Sequence, residues 1–512
     1  MRQPILAGLA LLLGAPGPLS GQATHHLGKI DFPTSGAPNA HEAFIRGTLL
    51  LHSFMYQDAA RAYREAQELD PGFAMAYWGE ALTYTHPVWY QQDLSAARAV
   101  LARLAPTPLA RLARAPTDRE KAYLRAVEIL YGEGPKLRRD TLYADAMRGV
   151  HEQFPDDPEA GAFYALSLLG LSNQGRHVPT YMQAAAILEE LFRTRPDHPG
   201  VVHYLIHAYD DPIHAPLGLR VARIYGGLAG AASHALHMPS HIFLALGMWD
   251  DVVASNEAAW GADRSYHALY WLQYAYLQQG RYRDARRLLD TIVQDVKRLG
   301  RSGNRGYYLP LMRAAFLTNT HQWSSDAVKI AVDLEGLAAA QVAADLFASG
   351  LRALRTGDRA GAARALTDMR SRRAANTDTY PPSVQAAVIQ EQELEALIRL
   401  DEGDQPAALR LLEAAAANED TVAFEFGPPD VVKPSAEVLG DVLLQLERYP
   451  EAQQAFQRAL ARHPGRSAAL LGLARAATRT GDRKAAQAAQ AQLRANWTRA
   501  DPEPLATLSR AP

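Results

Sequence analysis

Gly247-Met-Trp-Asp-Asp-Val252 decides the fold, because the same six-residue phrase returns along the chain. It reads Gly280-Arg-Tyr-Arg-Asp-Ala285, Gly357-Asp-Arg-Ala-Gly-Ala362, Gly403-Asp-Gln-Pro-Ala-Ala408 and Gly481-Asp-Arg-Lys-Ala-Ala486. Each copy is a glycine that ends one helix, a short polar or aromatic turn, and a small residue that enters the next helix. Gly247 and Gly280 are 33 residues apart, and Gly440 to Ala474, like Ala452 to Ala486, is 34. That period belongs to stacked helix-turn-helix units, and a stack of such units usually works as a binding surface. The chain is therefore expected to be all-α, an α-solenoid.

Outward from the phrase, the same grammar reaches both ends. The first helix pair is expected from about Asn39 to Leu69, with Gly47 as the small residue where the two helices cross. Asp70-Pro71 stops it, because proline cannot continue a helix and restricts the residue before it. Asp157-Pro158, His198-Pro199 and His463-Pro464 repeat that punctuation. Large residues alternate with alanine or glycine at helical spacing, which lets paired helices sit close. Strand signals are nearly absent. Phe424-Glu-Phe-Gly-Pro-Pro-Asp-Val-Val432 is the one stretch that reads as extended, expected as a loop crossing the solenoid.

These spacings resemble the tetratricopeptide repeat family. The best copies are Asn39 to Phe73 and Ser435 to Gly465, the latter with Leu439, Gly440, Ala452, Phe456, Ala459 and Pro464. Ser467 to Asn496 is a looser copy, and Arg103 to Tyr131 and Thr291 to Tyr308 depart from the pattern. Longer phrases are similar to a group of exported bacterial tetratricopeptide-repeat proteins. They include Phe32-Pro-Thr-Ser35, Leu51-His52-Ser53-Phe54, Ala76-Tyr-Trp-Gly-Glu80, His203-Tyr-Leu-Ile-His-Ala-Tyr-Asp-Asp211, His237-Met-Pro-Ser-His-Ile-Phe243 and Phe426-Gly-Pro-Pro429. The resemblance implies tetratricopeptide-type helix-turn-helix repeats in a right-handed superhelix and an exported location. It implies no reaction. The expected organisation is an extended arm at 24–38, N-terminal and central repeats at 39–375 and C-terminal repeats at 376–512, with a break near Asn376 to Ser383.

Composition narrows the functional classes. Lys plus Arg number 53 against 55 Asp plus Glu, a net charge of −2 that supplies no electrostatic case for nucleic acid. Met1-Arg2, the apolar run Ile5 to Leu13 and Gly21-Gln22-Ala23 together read as a secretory signal peptide cleaved near Ala23. The apolar run is too short to span a bilayer, so no membrane span is expected in the mature chain. The protein is expected to be periplasmic or secreted. With no cysteine, disulfides, thiolate ligands and a cysteine nucleophile are excluded.

Chemistry concentrates in one stretch. Six of the 17 histidines fall between His203 and His241. His203 and His207 are four apart, on one face of a helix, and Asp210 extends that stripe before Pro212 ends the helix. His237 and His241 repeat the spacing, with Pro239 expected to start a new helix and to leave His237 at its edge. Two neighbouring helices presenting such pairs can enclose a divalent metal such as zinc or copper, with Asp210 as a ligand or as the group that orients a ligand's second nitrogen. The competing reading is structural: histidines at helix crossings hydrogen-bonded to carbonyls or carboxylates. No HExxH is present, which disfavours a metalloprotease. A third-position histidine, His26, behind a free amine at Thr24 is a further copper-binding pattern.

A second cluster runs from Met75 to Tyr90. Tyr77, Trp78, Glu80, Tyr84 and His86 could line a concave groove and hold a peptide or small ligand, or form an aromatic stripe between repeats. Glu80 is the member hardest to place in a core, because a buried carboxylate needs a partner, and His86 is a candidate for it. No nucleotide-binding or nucleophile-elbow motif is present. The leading expectation is a non-catalytic exported scaffold that binds a protein, peptide or small ligand in its groove. The alternatives are a metal-binding protein or metal-dependent enzyme built on His203, His207, Asp210, His237 and His241, and an assembly scaffold with no small-molecule site.

Overall fold

The computed structural model describes residues 26–172 and 174–509. The leader, its cleavage point near Ala23 and the free amine of the Thr24 copper pattern lie outside the described residues.

Helix follows helix from Pro38–His52 to Pro502–Ser509. Among the described residues the strands are Thr85–His86 and Gln91–Gln92, a two-residue antiparallel pair. Consecutive helices pack as hairpins, as in Pro38–His52 with Tyr56–Leu69, Ala339–Arg355 with Arg359–Ala375, and Ser435–Gln445 with Tyr449–Arg462. This is the expected all-α architecture of tetratricopeptide-type repeats. Among the described residues no helix is long and apolar enough to cross a membrane.

The glycines of the recurring phrase end their helices in the left-handed conformation, with φ from +67° at Gly280 to +91° at Gly403. The amide that follows each one bonds back five residues. Met248 N–H donates to Phe243 O at 2.8 Å, Arg281 to Tyr276 at 2.9 Å and Asp482 to Ala477 at 2.9 Å. That is the Schellman closure, which satisfies carbonyls a helix end would leave bare. The small residue entering the next helix is then buried, as at Val252, Ala285, Ala362 and Ala408. Where hairpins cross, only glycine fits: a Cβ on Gly472 would lie 2.2 Å from the Phe456 ring, and one on Gly47 2.9 Å from Tyr63.

The array does not run out in a straight line. Trp249 Nε1 donates to Gly465 O at 3.0 Å, Ser467 Oγ to Gln278 O at 2.6 Å and Trp497 Nε1 to the same carbonyl at 3.1 Å. The C-terminal hairpins therefore lie against the central ones, some two hundred residues earlier in the chain. At the other end, Lys29 N–H donates to Asp197 O and Ala231 N–H to His26 O, both at 3.0 Å. Phe32 of this arm is buried against Phe44, Trp78 and Tyr123. Residues 376–380 link helices Arg359–Ala375 and Pro381–Asp401, and helix Ala339–Arg355 packs on both. The stretch from His321 to Ala338 is an irregular insertion carrying one short 3-10 turn, Asp326–Lys329, which the repeat pattern does not anticipate. Packing of the outer hairpins against the middle of the array brings several distant segments together around residues 200–270.

Candidate metal centre

His203 and His207 lie on helix Pro199–Ala208, which opens with proline at its first position and His198 as its cap. The helix ends at Ala208, so Asp210 does not extend the helical stripe as expected; it sits just beyond the end. Pro212 is not the terminator, because the C-cap is already Tyr209. His237 closes the five-residue helix Ser233–His237, and Pro239 begins Pro239–Ala245, which carries His241. Two further histidines join them that spacing alone did not single out: His234, one turn before His237, and His267 near the start of helix Tyr266–Gln278.

These side chains meet. His203, His207 and His234 bring a ligand atom each to within 4.8 Å of one another, as do His237, His241 and His267, and as do His207, Asp210 and His241. His203, His207, Asp210, His237 and His241 are all buried, at 0–2% exposure. The outward nitrogens are fixed by acceptors. His203 Nδ1 lies 2.7 Å from His52 O, His237 Nδ1 2.6 Å from Asn256 Oδ1 and His241 Nδ1 2.5 Å from Asp210 Oδ2. Asn256 spends its amide N–H on Val252 O, which leaves Oδ1 as the acceptor. A carbonyl or carboxylate can only accept, so each of these rings is protonated on Nδ1 and turns the lone pair of Nε2 inward. His267 Nδ1 meets Tyr308 Oη at 2.8 Å.

The inward nitrogens are the anomaly. The Nε2 atoms of His203, His207, His234 and His267 are buried and have no hydrogen-bond partner. His237 Nε2 and His241 Nε2 face each other at 3.0 Å. A hydrogen bond within that one pair would still leave the other four nitrogens bare. Burial, reinforced by the neighbouring imidazoles, pushes His203, His207, His234 and His237 well below the ordinary histidine range and His267 down to about 3. Neutral imidazoles with inward lone pairs are the form that binds a metal.

The contrast lies nearby. His52, Glu159 and His198 also bring ligand atoms within 4.8 Å. There every ring nitrogen is used. His52 has Tyr204 Oη at 2.9 Å and Glu159 at 2.7 Å, while His198 has Glu159 at 2.9 Å and the Val201 amide at 3.2 Å. That trio is a satisfied structural knot.

Aromatic rings wall the six-histidine cluster. Phe54 sits 4.3 Å from His203 and stacks on His207 and His234 at 5.8 and 5.6 Å between centroids. Its φ is +53°, in the turn where other hairpins place glycine, and Met55 N–H makes the same backward bond to Leu50 O at 2.9 Å. An L-residue there costs roughly 1–2 kcal/mol, which the ring contacts must offset. Trp271 stacks on His241 at 4.4 Å. The segment from Phe424 is a loop without strand structure, and its Phe426 lies 5.0 Å from His241 and 6.0 Å from His207. Gly427, at φ +105°, passes so near Trp271 that a Cβ would lie 2.7 Å from the indole.

The groove candidates fall elsewhere. Trp78 is fully buried against Phe32, Tyr123 and Phe163, and Tyr77 is 7% exposed with its hydroxyl on Pro71 O at 3.2 Å. Glu80 is buried, but its partner is not His86. Arg64 and Gln67 reach it at 2.7 Å and Arg103 also bonds it, because the two helices flanking its own carry these residues over it. Tyr84 is half-buried beside Arg64, and His86 stacks on Tyr56 at 3.9 Å. From the same stretch, Trp89 reaches the cluster, 5.7 Å from His234. A separate cleft of about 570 Å³ lies near the irregular insertion, lined by His321, Trp323, Arg355, Lys433, Asp441 and neighbouring leucines.

Among curated proteins none matches this chain. Human IFIT1, solved as a dimer with m7Gppp-AAAA, is similar over 92% of both chains at 13% identity and a TM-score of 0.38. Yeast Tom70 is similar over 92% of this chain and 95% of its own at 12% identity and a TM-score of 0.30. Residues 438–503 match the family described as tetratricopeptide repeat, in agreement with the paired helices seen there.

Proposed function

We propose that this chain is a binding scaffold of tetratricopeptide type whose central repeats hold a transition metal. The observation that carries the reading is the set of four buried, partnerless Nε2 atoms on His203, His207, His234 and His267. Leaving a buried polar atom unpaired costs about 1–3 kcal/mol, and a cluster of four is explained if each faces a cation. A nitrogen-rich donor set suits zinc, copper or nickel. Asp210 serves as the carboxylate that orients His241 through Nδ1, a supporting role common in metal sites. The proposal is one of binding, with no reaction assigned.

Elemental analysis of protein purified without an affinity tag tests this, after dialysis against zinc, copper or nickel. Stoichiometric metal is expected in the wild type, and less in His207→Ala with helicity retained. Protein that stays metal-free in all three dialyses sinks the reading.

A second surface has its own support. The cleft near Trp323 falls in the size range of small-ligand and peptide sites and presents a tryptophan beside Arg355, Lys433 and Asp441. It supports the reading that the scaffold also takes a peptide or small ligand through its repeats. A ligand held there should lose at least about tenfold in affinity on Trp323→Ala, read by calorimetry. Unchanged affinity would place the contact elsewhere.

A further inference from the structure

We infer that the histidine cluster takes two metal ions in a pair of three-imidazole sets, an inference that rests on the metal reading above. His203, His207 and His234 form one set and His237, His241 and His267 the other, each with ligand atoms within 4.8 Å. Six imidazoles exceed what a single zinc ion takes, since zinc is nearly always four-coordinate. Three protein ligands with a fourth position open is a complete set for a site that also binds water or another small ligand.

The bare nitrogens are divided between the sets. The first set holds three partnerless Nε2 atoms. The second holds that of His267, together with the two opposed Nε2 atoms of His237 and His241 at 3.0 Å. Each set is drawn from two or more helices. Helices Pro199–Ala208 and Ser233–His237 supply the first, while Ser233–His237, Pro239–Ala245 and Tyr266–Gln278 supply the second. His234 and His237 stand at either end of one short helix, one committed to each set. Each set also has its own aromatic wall: Phe54 lies on the first and Trp271 on the second.

The sets touch along a seam. His207 and His241 are 5.5 Å apart between centroids, His234 and His237 6.0 Å, and Phe426 packs on both His207 and His241. Ions held on either side of that seam would be close neighbours. Paired-metal sites place their ions about 3.5–4 Å apart, so a shared water or hydroxide is the class of ligand the seam would hold.

The test is stoichiometry on the full chain, dialysed against zinc(II) alone and, separately, copper(II) alone, with bound metal counted per chain. Two equivalents are expected from at least one of the two metals. His234→Gln and His267→Gln, both at partly exposed positions, should each retain one equivalent, and the double variant none. One equivalent in the wild type overturns the pair while leaving the metal reading intact. Two equivalents retained in both variants overturn the assignment of these sets. Absence of both bound zinc and bound copper overturns the pair, and if a nickel dialysis also leaves the protein metal-free the metal reading falls with it. Circular dichroism checks that each variant is folded, and if one is not, the wild-type stoichiometry decides alone.

Discussion

Asp210→Ala is expected to weaken metal binding by about 100-fold and Asp210→Asn by about 10-fold, both measured by competition with a chromophoric chelator. The effect runs through His241. Its Nδ1 lies 2.5 Å from Asp210 Oδ2, and both residues are buried. The carboxylate holds the imidazole in the tautomer that points Nε2 inward, and its charge polarises the ring toward a bound cation. Asparagine can still accept from Nδ1 but carries no charge, so it keeps the orientation and loses the polarisation; alanine loses both. A 100-fold change is about 2.7 kcal/mol. Saturating metal should also protect wild type more than either variant against heat, since a ligand at 100 times its dissociation constant stabilises by about 2.7 kcal/mol. If both variants are folded and bind as tightly as wild type, Asp210 is a helix-end carboxylate and nothing more.

The repeat was legible because its turns have a stereochemical requirement that glycine meets, and the recurring phrase marks them by residue type. Two turns of the same construction lack the phrase, although their hairpins were the best copies of the repeat by helix spacing and closing proline. Glu447, at φ +58°, and Phe54, at φ +53°, occupy the glycine position and make the same backward bonds, so no glycine announces them. At the centre, the His203/His207 and His237/His241 pairs were readable from helical spacing. His267 was not, because a lone histidine carries no periodic signal and reaches the cluster only through packing between hairpins. His234 stood within the histidine-rich stretch, but what marks it is a bare Nε2, which is a property of its surroundings. The stripe from Tyr77 to His86 was legible as a helix face only as far as Leu82, since Tyr84 and His86 lie beyond that helix, and not as to which side it presents. Glu80 finds its partners on two flanking helices, information that no local window holds. The role of Phe426 depends on the crossing loop returning some two hundred residues later to the His241 ring.

Arg466→Ala is expected to destabilise the protein by about 3–5 kcal/mol, the cost of leaving a buried charge without its partner. Arg466 is fully buried. Its Nε donates to Glu437 Oε2 at 2.6 Å and its Nη1 to Tyr274 Oη at 2.9 Å, which ties the C-terminal hairpins to central helix Tyr266–Gln278. Burial alone would raise the Glu437 pKa, but Arg466 and Lys433, the latter at 2.6 Å, outweigh it and hold the group down to about 2. The sign follows. A carboxyl whose folded pKa lies below its unfolded value of 4.5 contributes stability that is present above pH 4.5 and lost as the pH falls toward 2. Removing Arg466 leaves only Lys433 to oppose desolvation, so the acid limb of the stability curve should move to higher pH. Urea melts between pH 3 and 7 (roughly the span over which carboxylates titrate) read both effects, and near-neutral pH isolates the first. Adding Glu437→Gln should recover part of the loss, because the uncompensated carboxylate is then gone; that coupling separates a lost ion pair from a packing defect. A melt superimposable on wild type at both ends of the pH range would mean that the hairpins are held by the Trp249, Ser467 and Trp497 contacts alone, and that the buried charge pair adds specificity of docking without net stability.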